Sequence, residues 1–175
     1  MIDIPKDLLI SQCTDPIDSI VTEVYGTTFK DLNDPIFFQE RAILCPTNED
    51  VDVVNKYMLD QLKGEERIYL SSDSIDPADL NSRDDSVFTP DFLNSIKTSG
   101  LPNHYLRLRI GTPVMLIRNI DPNDGLCNGT RLQIIQLANH ILQAKVITGT
   151  RVGEKVWLHR LLLSPTDSKL QGNFH

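Results

Sequence analysis

Several motifs that would assign this chain to a familiar enzyme class are absent from its sequence. The 175 residues contain no GxxxxGK[ST] segment, the loop that cradles nucleotide phosphates, and no GxSxG or HExxH motif. Only three cysteines are present, with no CxxC pair among them. The sequence therefore predicts no ATP hydrolysis by this chain alone, no zinc site and no disulfide framework.

Long apolar runs are also missing. No run reaches the roughly 18 residues that span a bilayer, and the opening MIDIPKDLLI is acidic where a secretory signal is cationic. The four histidines lack the spacing of metal ligands. We therefore expect an intracellular protein with reduced thiols, no membrane partner, and no cofactor bound by its own residues.

Charge is distributed unevenly along the chain. Residues 1–100 contain 8 basic and 20 acidic side chains, whereas residues 101–175 contain 9 basic and 4 acidic ones. A basic C-terminal part is suited to an anionic partner, although the whole chain has a net charge of −7. The alternative is a solvated acidic region attached to a nearly neutral β domain.

The first part, residues 1–100, has the pattern of an α/β protein. Helices are predicted at residues 15–25 and 48–64, where apolar residues recur at helical spacing. The apolar run at residues 41–45 ends at a proline, and we expect it to be a buried strand of a parallel sheet. Residues 67–70 form a second predicted strand, followed by a long polar loop with one short helix.

The second part, residues 101–175, has the pattern of a mostly β region. Leu106–Ile110 alternates strictly between apolar and basic residues, which is typical of a half-buried strand. Short strands joined by tight turns predict a small barrel. The further predicted strands are residues 114–117, 132–137, 141–148 and 155–163.

Two groups of polar residues are candidates for binding nucleic acid. Thr47 and Asn48 stand between a predicted strand and a helix, where backbone N–H groups can bind phosphate. The alternative is that one of them only caps the helix.

The second group surrounds a predicted hairpin loop in LRLRIGTPVMLIRNIDPNDGLCNGTRL. Arg118 and Asn119 precede the loop, and Asn128 and Arg131 follow it, which places planar guanidinium and amide groups beside one another. The alternative is structural: the asparagines bind loop backbone, Gly129 supplies a positive φ, and the arginines pair with loop aspartates.

Two aromatic residues of the β region also have two interpretations. Tyr105 and Trp157 are suited to stacking on bases. Aromatic side chains in a small barrel are more commonly part of its core.

The chain resembles the PIF-type DNA helicases of superfamily 1, relatives of RecD and of the Helitron transposon helicases. The matching segments extend over most of the sequence, from Pro5 to Leu170, and together they are specific. They are ERAILCPTNEDVDVVNKYMLDQLKG (Glu40–Gly64), YLSSDSID (Tyr69–Asp76), LPNHYLRLRIGTPVMLIRNIDPNDGLCNGTRL (Leu101–Leu132) and ITGTRVGEKVWLHRLLLSPTDSKL (Ile147–Leu170).

The resemblance implies a partial second RecA-like domain at residues 1–100, with the single-strand track at Glu40–Asn55, and an SH3-like insertion at residues 101–175. It implies 5′–3′ unwinding of DNA with ATP and Mg²⁺, in repair, recombination and telomere maintenance, in the nucleus or mitochondrion. The first RecA-like domain and the last helicase motifs have no counterpart in the sequence. We therefore expect a fragment that is inactive alone.

The function expected from the sequence is thus part of a DNA helicase that contacts single-stranded DNA, with the missing first RecA-like domain as its other partner. The alternative is a degenerate or stand-alone protein-interaction module without DNA or ATPase activity.

Overall fold

The computed structural model describes residues 4–10, 14–26, 35–72, 89–96 and 103–161. The chain divides into two compact units, Met1–Lys63 and Gly64–His175. The sequence predicted a boundary near residue 100, whereas these units meet earlier, because the strand at Glu66–Leu70 pairs within the second unit. Most of the predicted long loop and the C-terminal residues 162–175 lie outside the described residues.

Helices form the described structure of the first unit. They are α1 (Pro16–Tyr25), α2 (Pro35–Gln39) and α3 (Asn48–Gln61), after one 3₁₀ turn at Lys6–Leu8. Asp15 caps α1, as its sequence predicted, because its Oδ1 accepts the N–H of Ile17 at 2.9 Å. The buried apolar residues of this unit are Val21, Phe38, Leu59 and Leu62.

The predicted buried strand at residues 41–45 is wrong. These residues belong to no strand, and the Leu44 side chain is 94% exposed. A strand needs neighbours that satisfy its backbone N–H and C=O groups, and both sheets formed by the described residues are antiparallel and lie elsewhere in the chain. The parallel RecA-like sheet therefore does not form within the described part of the chain.

The second unit contains two antiparallel sheets and the short helix α4 (Pro90–Ser95). The smaller sheet is a ribbon of β1 (Glu66–Leu70) and β2 (Tyr105–Arg109). The larger sheet has the order β3-β4-β5-β6. Its strands are β3 (Pro113–Met115), β4 (Arg131–Leu137), β5 (Ile141–Val146) and β6 (Lys155–His159).

The core of the second unit lies on one face of the four-stranded sheet. Leu132, Ile134 and Ala144 are fully buried there. In the described structure no pairing joins β3 to β6, so the sheet is open and the predicted barrel closure is not observed. The protein is therefore a mixed α/β protein with antiparallel sheets.

Candidate nucleic-acid interface

The loop between β3 and β4, residues 116–130, is the candidate hairpin loop. Its base is closed by two backbone hydrogen bonds, in which Leu116 N donates to Thr130 O at 2.9 Å and Gly129 N donates to Leu116 O at 2.8 Å. Gly129 has a φ of 88°, a conformation that favours glycine. The positive φ predicted for this position is confirmed.

Side chains of the loop hold its backbone. Asn119 Oδ1 accepts the N–H of Asn128 at 2.8 Å, which ties the two ends of the loop together. Asp121 Oδ1 accepts the N–H groups of Asn123 at 3.1 Å and Asp124 at 3.2 Å. The structural role predicted for Asn119 is therefore confirmed, and the loop has a defined conformation before any ligand binds.

An arginine from a different turn braces the same loop. Arg151 Nη1 lies 2.9 Å from Asp124 Oδ1 and donates to Asp124 O at 3.0 Å. Arg151 Nε donates to Glu154 Oε2 at 2.6 Å. The hydrogen bonds to Glu154 and Asp124 raise the pKa of Arg151. Asp124 thus pairs with an arginine outside the loop, which the sequence did not indicate.

The four predicted loop residues lie close together along this hairpin. Arg118 and Arg131 are both half-buried, whereas Asn119 and Asn128 are exposed. Arg131 opens β4 opposite Met115, and its backbone N–H donates to Thr148 Oγ1 at 2.8 Å. The fold therefore brings two arginines and two asparagines to a single braced loop.

Thr47 and Asn48 belong to the first unit, at the start of α3. Thr47 is the N-cap: its Oγ1 accepts the N–H of Asp50 at 3.2 Å and donates to Asp50 Oδ2 at 2.7 Å. Asn48 is the first helical residue and is exposed. The capping role of Thr47 is thus confirmed, and phosphate contact at these residues stays a prediction.

The ribbon contains a cluster of charged residues that sequence reasoning missed. Arg107 donates two hydrogen bonds to Glu66, Nε to Oε1 at 3.0 Å and Nη2 to Oε2 at 2.8 Å. Arg109 donates to Glu66 Oε2 from Nε at 3.0 Å and from Nη2 at 2.9 Å. The hydrogen bonds from Arg107, which have the largest effect, and those from Arg109 lower the pKa of Glu66 to about 2. The alternation of residues in β2 predicts that the two arginines share one face of the strand. No nearby residue in the sequence indicates that their partner is Glu66.

The prediction that Tyr105 and Trp157 belong to a core is wrong. Their side chains are 50% and 52% exposed, respectively. Tyr105 lies on the ribbon and Trp157 lies on β6. The alternation of residues in β6, KVWLH, predicts that Trp157 lies on the same face as Lys155 and His159. The alternation does not indicate which face of the strand is covered by the rest of the protein.

The described residues contain no cluster of three or more His, Cys, Asp or Glu side chains arranged to hold a metal ion. No helix in the described part of the chain is long and apolar enough to cross a bilayer.

The family model described as "DNA helicase Pif1, 2B domain" matches residues 91–137, which include β2, β3, the hairpin loop and β4. The ATP-dependent DNA helicase PIF1 of Xenopus laevis is 31% identical over 93 residues, which are 53% of this chain and 12% of that protein. The corresponding helicase of Danio rerio is 32% identical over 88 residues, again 12% of its length. The matched region is therefore a small part of either relative.

The fold also matches a solved structure. The structure described as "Structural Basis for DNA Unwinding at Forked dsDNA by two coordinating Pif1 helicases" aligns with a TM-score of 0.51 and 20% identity, over 92% of this chain and 34% of that one. At this identity the likeness concerns the fold. Together with the family match, these comparisons confirm the resemblance of the chain to the PIF-type DNA helicases, with residues 91–137 similar to the 2B domain of the DNA helicase Pif1.

Proposed function

We propose that this chain contributes single-stranded DNA contacts to an ATP-dependent 5′–3′ DNA helicase of the PIF type. The observation that carries the proposal is the Asn119–Asn128 hydrogen bond, which fixes the loop beside Arg118 and Arg131. A loop that is already ordered loses less conformational entropy when it binds a ligand. The same loop lies inside the segment that matches the Pif1 2B domain.

The chemistry of the loop is suited to a nucleic-acid strand. A guanidinium group can donate two parallel hydrogen bonds to phosphate oxygens or to a base edge. In this proposal Arg118 and Arg131 contact the strand, while Asn119 and Asn128 keep the loop in place and present their remaining polar atoms to it. Thr47 and Asn48 are weaker candidates, because the negative charges of Glu49 and Asp50 in the first turn of α3 repel a phosphate.

The proposal places residues 101–175 in the SH3-like insertion and residues 1–100 in the second RecA-like domain. ATP and Mg²⁺ then belong to the first RecA-like domain of the family, which is this chain's protein partner. The residues of this chain do not fit a nucleotide phosphate site, because the sequence contains no GxxxxGK[ST] loop.

Fluorescence anisotropy of a labelled poly-dT strand, titrated with the full chain at low and moderate salt, tests this proposal. We expect binding that weakens as salt rises, because counterions are released from the phosphates. Arg118→Ala plus Arg131→Ala should weaken binding without unfolding the chain, as judged by circular dichroism. The matched control is Lys6→Ala plus Lys56→Ala, which removes the same charge from exposed residues of the first unit. Equal binding by both double variants would refute the assignment of the arginines.

The alternative, a protein-interaction module without DNA or ATPase activity, is favoured by one observation. Ile68, Leu70 and Tyr105 are each 50% exposed and share one face of the ribbon, because Leu70 pairs with Tyr105 and Ile68 is two residues from Leu70. An exposed apolar strip is typical of a surface that binds protein. Under this alternative, poly-dT does not bind at either salt concentration.

A further inference from the structure

An indole and two ammonium groups share the exposed face of β5 and β6. Trp157 lies directly opposite Gln143, and Lys155 lies directly opposite Lys145. Residues that face each other across antiparallel strands project to the same side of the sheet. Trp157 is 52% exposed. We refer to Gln143, Lys145, Lys155 and Trp157 as the Trp157 face.

Folding does not account for the lysine pair of this face. Like charges directly opposite each other on neighbouring strands are destabilising. Residues 103–161 contain three carboxylates, Asp121, Asp124 and Glu154. Arg151 pairs with two of them, and Asp121 accepts hydrogen bonds from its own loop. Within the described residues, neither lysine of the pair forms an ion pair with a carboxylate, so this face attracts an anion from outside.

Folding also does not require an indole at residue 157. Its neighbours Val156 and Leu158 lie on the other face of β6 and pack against the core of the sheet. An aromatic side chain that stays half exposed beside cations is the arrangement with which proteins bind single-stranded nucleic acid. In that arrangement an aromatic ring can stack on a base while cationic groups lie near the phosphates.

The Trp157 face and the first residues of β4 lie on the same side of the sheet. Gln133 of β4 lies opposite Lys145, so both belong to the same side of the sheet. Arg131 is two residues from Gln133 on the same strand and therefore shares that side. Arg131 and the lysine pair therefore lie on the same side of the sheet, with the buried Gln133 between them.

We propose that the Trp157 face is a stacking platform for single-stranded nucleic acid, in which the Trp157 indole takes one base and Lys145 and Lys155 contact adjacent phosphates. This inference rests on the proposed function, since it adds a second contact to the strand held at the hairpin loop. It assigns to the chain a base-stacking residue that the loop itself lacks.

Trp157 is the only tryptophan of the chain, so its fluorescence reports on this face alone. The full chain is titrated with unlabelled poly-dT at low salt while tryptophan emission is followed, in parallel with anisotropy of a labelled strand. We expect saturable quenching with the same midpoint as the anisotropy change. Anisotropy binding without quenching would overturn the platform and leave the proposed function standing, whereas no binding by anisotropy would overturn both.

Two substitutions separate stacking from structure. Trp157→Leu keeps an apolar side chain of the strand and removes the aromatic face, and we expect it to weaken poly-dT binding roughly 5- to 100-fold. Trp157→Phe keeps a stacking surface and should restore most of the affinity. Equal affinity of the Leu variant and the unmodified chain would refute the proposal.

The matched control is Tyr105→Leu, which removes another half-exposed aromatic residue from a strand of the same unit. We expect its poly-dT affinity to equal that of the unmodified chain. Heparin, a polyanion without bases, should bind the Trp157→Leu variant as well as the unmodified chain. A loss of heparin binding in that variant would contradict a stacking role, because it would trace the effect to the charge or shape of the surface.

Discussion

The two pairs of basic residues on the strands of the second unit have opposite surroundings. Arg107 and Arg109 of β2 both donate hydrogen bonds to Glu66, so one carboxylate offsets part of their charge within the ribbon. Lys145 and Lys155 of β5 and β6 face each other with no carboxylate partner among the described residues. Basic residues that are equivalent in the sequence thus have different surroundings, because the pairing of strands decides which of them lies beside a carboxylate.

The basic side chains of the C-terminal part are not all available to an anion. Counting arginines and lysines gives the total charge that attracts an anion, and a phosphate binds where those charges stay available. Glu66 offsets one of the two positive charges of Arg107 and Arg109, and Arg151 is held by Asp124 and Glu154. Lys145 and Lys155 have no carboxylate partner among the described residues, so their charge stays available to an anion.

The largest effect is expected from the core beneath the four-stranded sheet. Ile134→Ala should lower the free energy of unfolding by about 2–5 kcal/mol, because Ile134 is fully buried among well-packed neighbours. Ile68→Ala removes the same atoms from a half-exposed residue of the ribbon and should cost less than about 1 kcal/mol. Urea unfolding followed by Trp157 emission measures both, and equal losses would contradict the contrast between packed sheet and open ribbon.

A second substitution tests the charge available on the lysine pair. Lys145→Gln plus Lys155→Gln should make the fall of log affinity for poly-dT with log salt less steep by about 1.4, which corresponds to two phosphate contacts. Stability should be unchanged or slightly higher, because two like charges no longer face each other. The charge-matched control is Lys6→Gln plus Lys56→Gln in the first unit. An identical salt dependence in both variants would show that the lysine pair does not contact the strand.

A third prediction concerns Glu66, which pairs with Arg107 and Arg109. The pKa of Glu66 is about 2 in the fold, below its ordinary 4.5, so its stabilising contribution is complete above pH 4.5 and is lost as the pH falls toward 2. Glu66→Gln should lower Tm by a few degrees at pH 7, and the difference from the unmodified chain should shrink between pH 4.5 and 2.

Thermal unfolding at a series of pH values measures this difference, with Glu65→Gln as the control. Among the described residues Glu65 pairs only with Arg67, and its side chain is 67% exposed, so its substitution should change Tm less. A difference for Glu66→Gln that stays constant from pH 7 to pH 2.5 would contradict the role of its charge.

The smallest effect is expected at the hairpin loop. Asn119→Ala removes the acceptor of the Asn128 N–H and should weaken the loop by about 1 kcal/mol, which increases the exchange rate of that amide roughly fivefold. Hydrogen exchange followed by NMR measures the exchange rate of the Asn128 amide. Asn123→Ala is the control, because the contact of Asn123 with Asp121 is made by its backbone. Unchanged exchange of the Asn128 amide in Asn119→Ala would show that the side chain does not hold the loop.

Local structure was predictable from the sequence because its causes are local. Asp15 and Thr47 cap the helices that follow them, since a capping side chain binds N–H groups only two or three residues away. The strand β2 and the left-handed Gly129 were also predictable, from alternation and from the turn chemistry of glycine. The resemblance to PIF-type helicases likewise depended on contiguous segments of sequence.

The sequence by itself determined these helices, most of the strands and the resemblance to the PIF-type helicases. Only the tertiary structure decided that residues 41–45 are not a strand, that Glu66 binds Arg107 and Arg109, and that Trp157 is exposed. The reason is that a periodic pattern divides a strand into two faces without stating which face is covered or which distant strand is its neighbour. Those facts depend on pairing between residues far apart in the chain.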